Sequence, residues 1–235
     1  MELSNELRKL ANLEKSKVLQ KFFKTGKGEY AEGDVFLGLT VPKSRKIAKK
    51  YSNIIFQDVE SLLSSKIHEE RLIALLILVE RFNKSPNKKE IFDFYLNNTK
   101  YINNWDLVDL TADKIVGNFL FNFSKDYPVY KILLTNLAKS SNLWERRIAI
   151  ISTFHFIKNN QFNDTLKIAE ILLNDKHDLI HKAIGWMLRE IGKRSEETEE
   201  QFLKKHYKSM PRTMLRYAIE RFTQKKREAY LKGEI

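Results

Sequence analysis

Apolar residues recur at three- and four-residue steps along almost the whole chain, the spacing that gathers them on one side of an α-helix. No segment reads as a strand. Two tracts, His68 to Phe82 (HEERLIALLILVERF) and Trp144 to Ile157 (WERRIAIISTFHFI), hold more apolar residues than a single stripe needs. Helices there should pack against neighbours on more than one side. Capping or helix-breaking residues fall between the tracts at Ser85-Pro86-Asn87, Asn103-Asn104, Asp126-Tyr127-Pro128, Asn159-Asn160, Asn174-Asp175, Lys193-Arg194-Ser195 and Met210-Pro211,. Roughly a dozen helices with short connections follow from these stops. The longest polar interval, Thr25 to Asp34, holds three of the eight glycines and reads as a loop,.

A weaker signal sets the architecture. Glu70-Arg71-Leu72-Ile73-Ala74, Glu145-Arg146-Arg147-Ile148-Ala149, His181-Lys182-Ala183-Ile184 and Leu215-Arg216-Tyr217-Ala218-Ile219 each bring a charged residue into a small-and-aliphatic run. With Asp109 of Val108-Asp109-Leu110 taken as the same position, the column Arg71, Asp109, Arg147, Lys182, Arg216 has intervals of 38, 38, 35 and 34 residues. Those periods are close to helical-pair repeats of the HEAT kind. The expected fold is all-α: a HEAT-like helical-repeat solenoid whose second helices line a concave basic face. One domain over residues 1–235 is expected, with a helical N-terminal part over about 1–60 and the core repeats over about 61–235. Helical spacing adds indoles to the column, since Trp105 is four residues before Asp109, Trp144 three before Arg147 and Trp186 four after Lys182,.

Composition narrows the partners. Across 235 residues, 42 Lys+Arg oppose 30 Asp+Glu, for a net charge of +12. That balance suits a polyanion, either nucleic acid or an anionic membrane surface. The absence of cysteine rules out disulfides, thiolate catalysis and cysteine-built zinc sites. The first residues, Met-Glu-Leu-Ser-Asn-Glu-Leu-Arg-Lys, lack the apolar core of a signal peptide, and no stretch approaches the roughly 20 apolar residues of a membrane span. A cytoplasmic, membrane-free protein is the expectation, and a solenoid gripping a duplex can act as a monomer.

Any one of Arg71, Arg147, Lys182 and Arg216 could belong to a solvated helix face. Their recurrence in register instead suits a phosphate backbone, on which each contact releases counterions and gives affinity without sequence preference. Trp144, beside an apolar helix, reads as a core anchor. Trp105 and Trp186 stand beside polar members of the column, and spacing leaves open whether they are core anchors or ring faces for a base or a cation. Asp109 could be an ordinary helix carboxylate, since Asp106, Asp109 and Asp113 share one short segment. A carboxylate among phosphate-binding cations weakens DNA binding unless it stabilises a developing positive charge or orients a water. There is no phosphate-cradling glycine loop and no G-x-S-x-G. His177 and His181 stand at i and i+4 like two zinc ligands, with no third ligand in view, so no metal and no cofactor are expected.

At these residues the chain resembles the AlkD-type DNA alkylation repair family. The likeness is carried by Asn104-Trp105-Asp106-Leu107-Val108-Asp109, Trp144-Glu145-Arg146-Arg147 and Lys182-Ala183-Ile184-Gly185-Trp186-Met187-Leu188-Arg189-Glu190. Phe36-Leu37-Gly38 with Val41-Pro42-Lys43-Ser44-Arg45, and Pro211-Arg212-Thr213-Met214-Leu215-Arg216-Tyr217-Ala218, resemble its N- and C-terminal signatures. Some family members carry an additional aromatic before the motif tryptophan, where this chain has Asn104. The resemblance implies a HEAT-like fold and metal-free, cofactor-free excision of cationic N3- and N7-alkylated purines from double-stranded DNA. It implies a cleft with Trp105 and Trp186 on the base and Asp109 as the catalytic carboxylate. Arg147 is implied near the lesion-bearing backbone, with Lys182, Arg189, Arg71, Arg216 and Arg45 as further backbone contacts or structural partners.

Such a base is already a good leaving group, so the expected catalysis is electrostatic, with Asp109 opposite the positive charge that develops on the sugar. A lyase using Lys182 as a Schiff-base amine is a further possibility. Two alternatives of other classes are a non-catalytic binder of damaged or branched DNA and a helical-repeat scaffold for protein partners.

Overall fold

The computed structural model describes residues 2–123 and 132–235. The expected stop at Asp126-Tyr127-Pro128 lies outside them. The chain divides into two compact units, Met1–Thr111 and Ala112–Ile235. Both are helical, and the described residues contain no strand, only a single-residue bridge between Val35 and Ile67.

The first unit starts with α1 (Glu2–Lys9) and α2 (Leu13–Phe22), then a turn-rich segment leading to α3 (Val41–Lys50). The helical pairs begin with α4 (Phe56–Leu63) and α5 (His68–Lys84), followed by α6 (Lys88–Asn97) and the short α7 (Trp105–Asp109). Every residue of α5 from His68 to Val79 is buried. The expectation for this tract holds, because α3, α4, α6 and α7 all pack against α5 and leave it no solvent side,. Gly38 is needed where it stands. Its φ is +86°, and a Cβ there would come 2.3 Å from the carbonyl oxygen of Asn12,.

The second unit opens with a π-helical turn, Asp113–Gly117, running into α8 (Asn118–Phe123). Pairs follow as α9 (Leu133–Ala138) with α10 (Leu143–Ser152), α12 (Asn163–Ile171) with α13 (Asp178–Gly192), and α14 (Glu196–His206) with α15 (Arg212–Ala218). Between the first two pairs lies α11 (Phe154–Lys158), and α16 (Gln224–Lys232) closes the unit. The apolar tract from Trp144 is thus two helices. The hydroxyl of Thr153 donates to the carbonyl of Ile150 at 2.7 Å and interrupts the ladder,. Second helices pack on second helices, α10 on α13 and α13 on α15. Gly185 makes the latter contact possible, since a Cβ there would meet the Met214 carbonyl oxygen at 2.4 Å.

The five column residues fall in α5, α7, α10, α13 and α15, one for each second helix. The stops at Ser85–Asn87, Asn103-Asn104, Asn159-Asn160, Asn174-Asp175, Lys193–Ser195 and Met210-Pro211 all separate helices. No helix among the described residues is long and apolar enough to cross a membrane.

Candidate active site

In the first unit, α7 is a single turn. Asn104 caps it by accepting the Trp105 amide at 2.8 Å, and Asp106 accepts the Leu107 amide at 2.9 Å. Trp105 and Asp109 begin and end this turn, four residues apart on one side of the helix, and both are half-buried,. Phe23 lies flat on the indole of Trp105, with ring centroids 5.1 Å apart and planes 18° from parallel. Phe22 meets the same indole edge-on at 5.9 Å and is itself 61% exposed. An apolar pocket of about 330 Å³ opens beside this cluster, lined by Val18, Leu19, Phe22, Phe23, Phe36 and Leu72, with His68 and Asp106 also on its wall.

Behind the turn stands a buried ionic group that sequence reasoning missed. His68 is the first residue of α5 and is 1% exposed. Its Nε2 is 2.8 Å from Asp106, and its Nδ1 is 3.6 Å from Asp34. Burial alone would lower the pKa of this imidazole, but the two carboxylates outweigh it and raise the value to about 8,. Asp34 is held below its ordinary range. Burial opposes that shift, while His68, Arg71 and Asn103 drive it. Asn103 donates to Asp34 at 3.0 Å, which ties the carboxylate to the segment that carries Trp105. Beside His68, the carboxylate of Glu69 accepts the amides of Leu37, Gly38 and Leu39 at 2.8–3.1 Å. The available signal was a run of ionisable residues, His68-Glu69-Glu70-Arg71, leading a helix whose spacing buries every side.

Two of the expected backbone cations are elsewhere than a surface. Arg71 is 4% exposed; its guanidinium pairs with Asp34 at 2.5 Å and donates to the Ser65 carbonyl at 2.6 Å. Arg147, 5% exposed, donates to the carbonyl of Leu179 inside the second unit. The column position on these two helices is an inward one, so each charge is used to join chain segments. Arg45 on α3 and Arg216 on α15 are exposed. Lys182 is part-exposed and pairs with Asp178 at 2.6 Å within α13. Arg189 bridges to Glu220, a structural partnership.

In the second unit, Trp186 is half-buried on α13. Its indole N–H donates to Glu190 at 3.2 Å, and its ring lies 5.9 Å from Phe154 at 47°. Trp144 is buried, as the core reading expected. Asp113 is the ordinary member of the carboxylate trio, paired with Lys114 at 3.1 Å and Lys158 at 2.8 Å. His177 and His181 serve the backbone. His177 caps α13 by accepting the Leu179 amide, and His181 contacts the Asp175 carbonyl.

The family model described as DNA alkylation repair enzyme matches residues 3–222. The chain belongs to this DNA alkylation repair family. Its role is therefore in the repair of alkylated DNA, on which an enzyme of this family works. A solved structure described as a predicted DNA alkylation repair enzyme from Enterococcus faecalis is similar to it with a TM-score of 0.72 and 17% identity, covering 91% of this chain and 97% of that one. AlkD2 from Streptococcus mutans aligns with a TM-score of 0.55 and 20% identity, covering 89% of this chain and 97% of that one. The smu.31 protein from Streptococcus mutans UA159 gives 0.54 and 21%, covering 78% and 93%. At these identities the likeness shows the helical-repeat fold. No curated protein matches the chain.

Proposed function

We propose that this chain is a monofunctional DNA glycosylase that hydrolyses the N-glycosidic bond of cationic alkylated purines, of the N3-methyladenine and N7-methylguanine type, in duplex DNA. The observation that carries the reading is Trp105 and Asp109 at the two ends of one turn, an indole and a carboxylate on the same side of α7. A cationic purine leaves without protonation, so the site needs no strong general acid. Positive charge passes to the sugar as the bond lengthens. An ionised Asp109 beside that carbon stabilises the oxocarbenium-like state and orients the attacking water.

Phe23 covers one face of Trp105, so a cationic base stacks on the other and gains about 0.5–2 kcal/mol over a neutral one. Trp186 takes a base-contacting role on the strength of its motif. Arg45, Arg216 and Lys182 are the proposed phosphate contacts, and Lys182 exchanges an exposed intrahelical pair for a phosphate at little cost. Arg71 and Arg147 hold the protein's own chain. The assignment needs no second subunit.

Release of free base from duplex DNA containing N7-methylguanine, measured under single-turnover conditions for wild type and Asp109→Asn, tests this reading. Release that collapses in the variant supports it. Tight binding with no release from this DNA or from N3-methyladenine DNA would replace it with a non-catalytic binder of damaged DNA.

A further inference from the structure

The turn that carries Trp105 and Asp109 is too short to orient itself. It is five residues long, and its end bonds are Val108 to Asn104 at 3.4 Å and Leu110 to Asp106 at 3.1 Å, too few for a helix to hold its own direction,. Its direction must come from tertiary contacts, and two converge on it. Phe23 stacks on Trp105, and His68 holds Asp106, the residue between the indole and the rest of the turn. The two contacts are one assembly: the His68 ring stacks on Phe36 at 4.4 Å, Phe36 stacks on Phe23 at 5.0 Å, and Phe23 covers Trp105.

We propose that His68 is a positioning residue for this turn: by bridging Asp106 and Asp34 it sets the direction in which α7 presents Trp105 and Asp109. The proposal rests on the reading that these two side chains act on the lesion. In this role His68 acts through the turn and not on the base or sugar itself. Its own place is fixed by the bridge at the head of α5, where its amide donates to the Val35 carbonyl at 2.8 Å.

The bridge depends on the protonation of the ring. An imidazolium donates to Asp106 and holds its second N–H 3.6 Å from Asp34, a charge contact longer than a hydrogen bond. Neutral imidazole with its proton on Nε2 keeps Asp106 and turns a lone pair toward Asp34. Asp34 is in turn bonded to Asn103, two residues before Trp105, so both halves of the bridge end on the segment that leads into the turn. The charged groups around the ring are Asp106 from α7, Asp34 from the segment before α3, Arg71 and Glu69 from α5, and Lys15 from α2 on the adjoining pocket wall. The carboxylates outweigh burial and Arg71 together, so loss of the proton falls near pH 8.

The experiment is an NMR titration of the ¹⁵N-labelled, DNA-free protein from pH 6 to 9. It follows the indole N–H of Trp105, assigned by its loss in Trp105→Phe, and the ring protons of His68. The same pH series of base release is run for wild type and His68→Gln. In wild type the Trp105 signal is expected to move with the midpoint of His68, about 8. In His68→Gln, whose side-chain amide still donates toward Asp106 without titrating, that movement disappears. The rate of base release is expected to show an alkaline limb only in wild type, with the variant about 10- to 100-fold slower at pH 7 and unchanged in DNA affinity.

A Trp105 signal that ignores the His68 titration in wild type overturns the proposal, and so does the same alkaline limb in both proteins. The wild-type titration decides the matter even if the variant does not fold. If wild type releases no base at any pH, the glycosylase reading fails, and the indole titration still decides whether His68 positions the turn.

Discussion

The ring of Phe23 lies nearly parallel to the indole of Trp105 at 5.1 Å, so the tryptophan of the family motif is stacked on a buried ring of its own unit. Phe23 is buried and bears on Phe36 and His68 as well. Phe23→Ala is expected to cost about 3 kcal/mol in urea denaturation, toward the low end for a buried phenylalanine because a pocket already adjoins it. A cost below about 1 kcal/mol would mean that the stack contributes little to holding Trp105.

Asp109→Asn is expected to slow base release by about 10²- to 10³-fold, the loss found when one group opposite a developing charge is removed. Trp105→Ala should slow release while sparing most DNA affinity, because phosphate contacts supply most of the binding. Paired single-turnover and filter-binding measurements check both. Asn at 109 with an unchanged rate would remove the carboxylate from the mechanism.

The helical architecture was legible because hydrophobic period and stop residues are local properties, and the short repeats bring sequence neighbours together. The positions of Trp105 and Asp109 on one turn were legible for the same reason. The direction of the charged residues was not. Arg71 and Arg147 share a column with Arg216, yet the first two point into packed helices and the third into solvent. Periodicity gives the side of a helix, whereas burial depends on how many neighbours press on that side, and α5 is covered all round. The group at His68, Asp34 and Asp106 pairs residues 34 and 38 positions apart in sequence. Nothing local marks such a pairing apart from ionisable residues standing where the pattern buries them. The break at Thr153 was hidden for a related reason, since a threonine fits either the inside of an apolar helix or its end.

The two kinds of arginine should separate in a salt titration of DNA binding. Arg45→Ala and Arg216→Ala each remove an exposed cation, so each is expected to lower the slope of log K against log salt by about 1 and to leave the melting temperature unchanged. Arg71→Ala removes the buried cation that pairs with Asp34 and leaves that carboxylate with only Asn103 and His68, so it is expected to cost about 3 kcal/mol of stability,. A reduced slope for Arg71→Ala with unchanged stability would place its charge on DNA instead.

Glu199 gives the second unit a pH-dependent weakness. It is buried on α14, its carboxyl presses against Gly192, and its Oε1 has no hydrogen-bond partner. Burial, reinforced by the negative charge of Glu196 and Glu200 and opposed by Lys226 and Arg189, raises its pKa to about 8 from 4.5. The folded protein therefore keeps a proton that the unfolded chain releases above about pH 4.5. Stability falls as pH rises through that window, and the loss is complete above pH 8. Gln at this position has nearly the same volume and no proton to lose. Glu199→Gln is thus expected to match wild type at pH 4.5 and to exceed it by ~2–4 kcal/mol at pH 9, read from melting curves across the range. A stability difference that stays constant from pH 4.5 to 9 would show that Glu199 is ionised in the fold, with Lys226 or Arg189 compensating its charge.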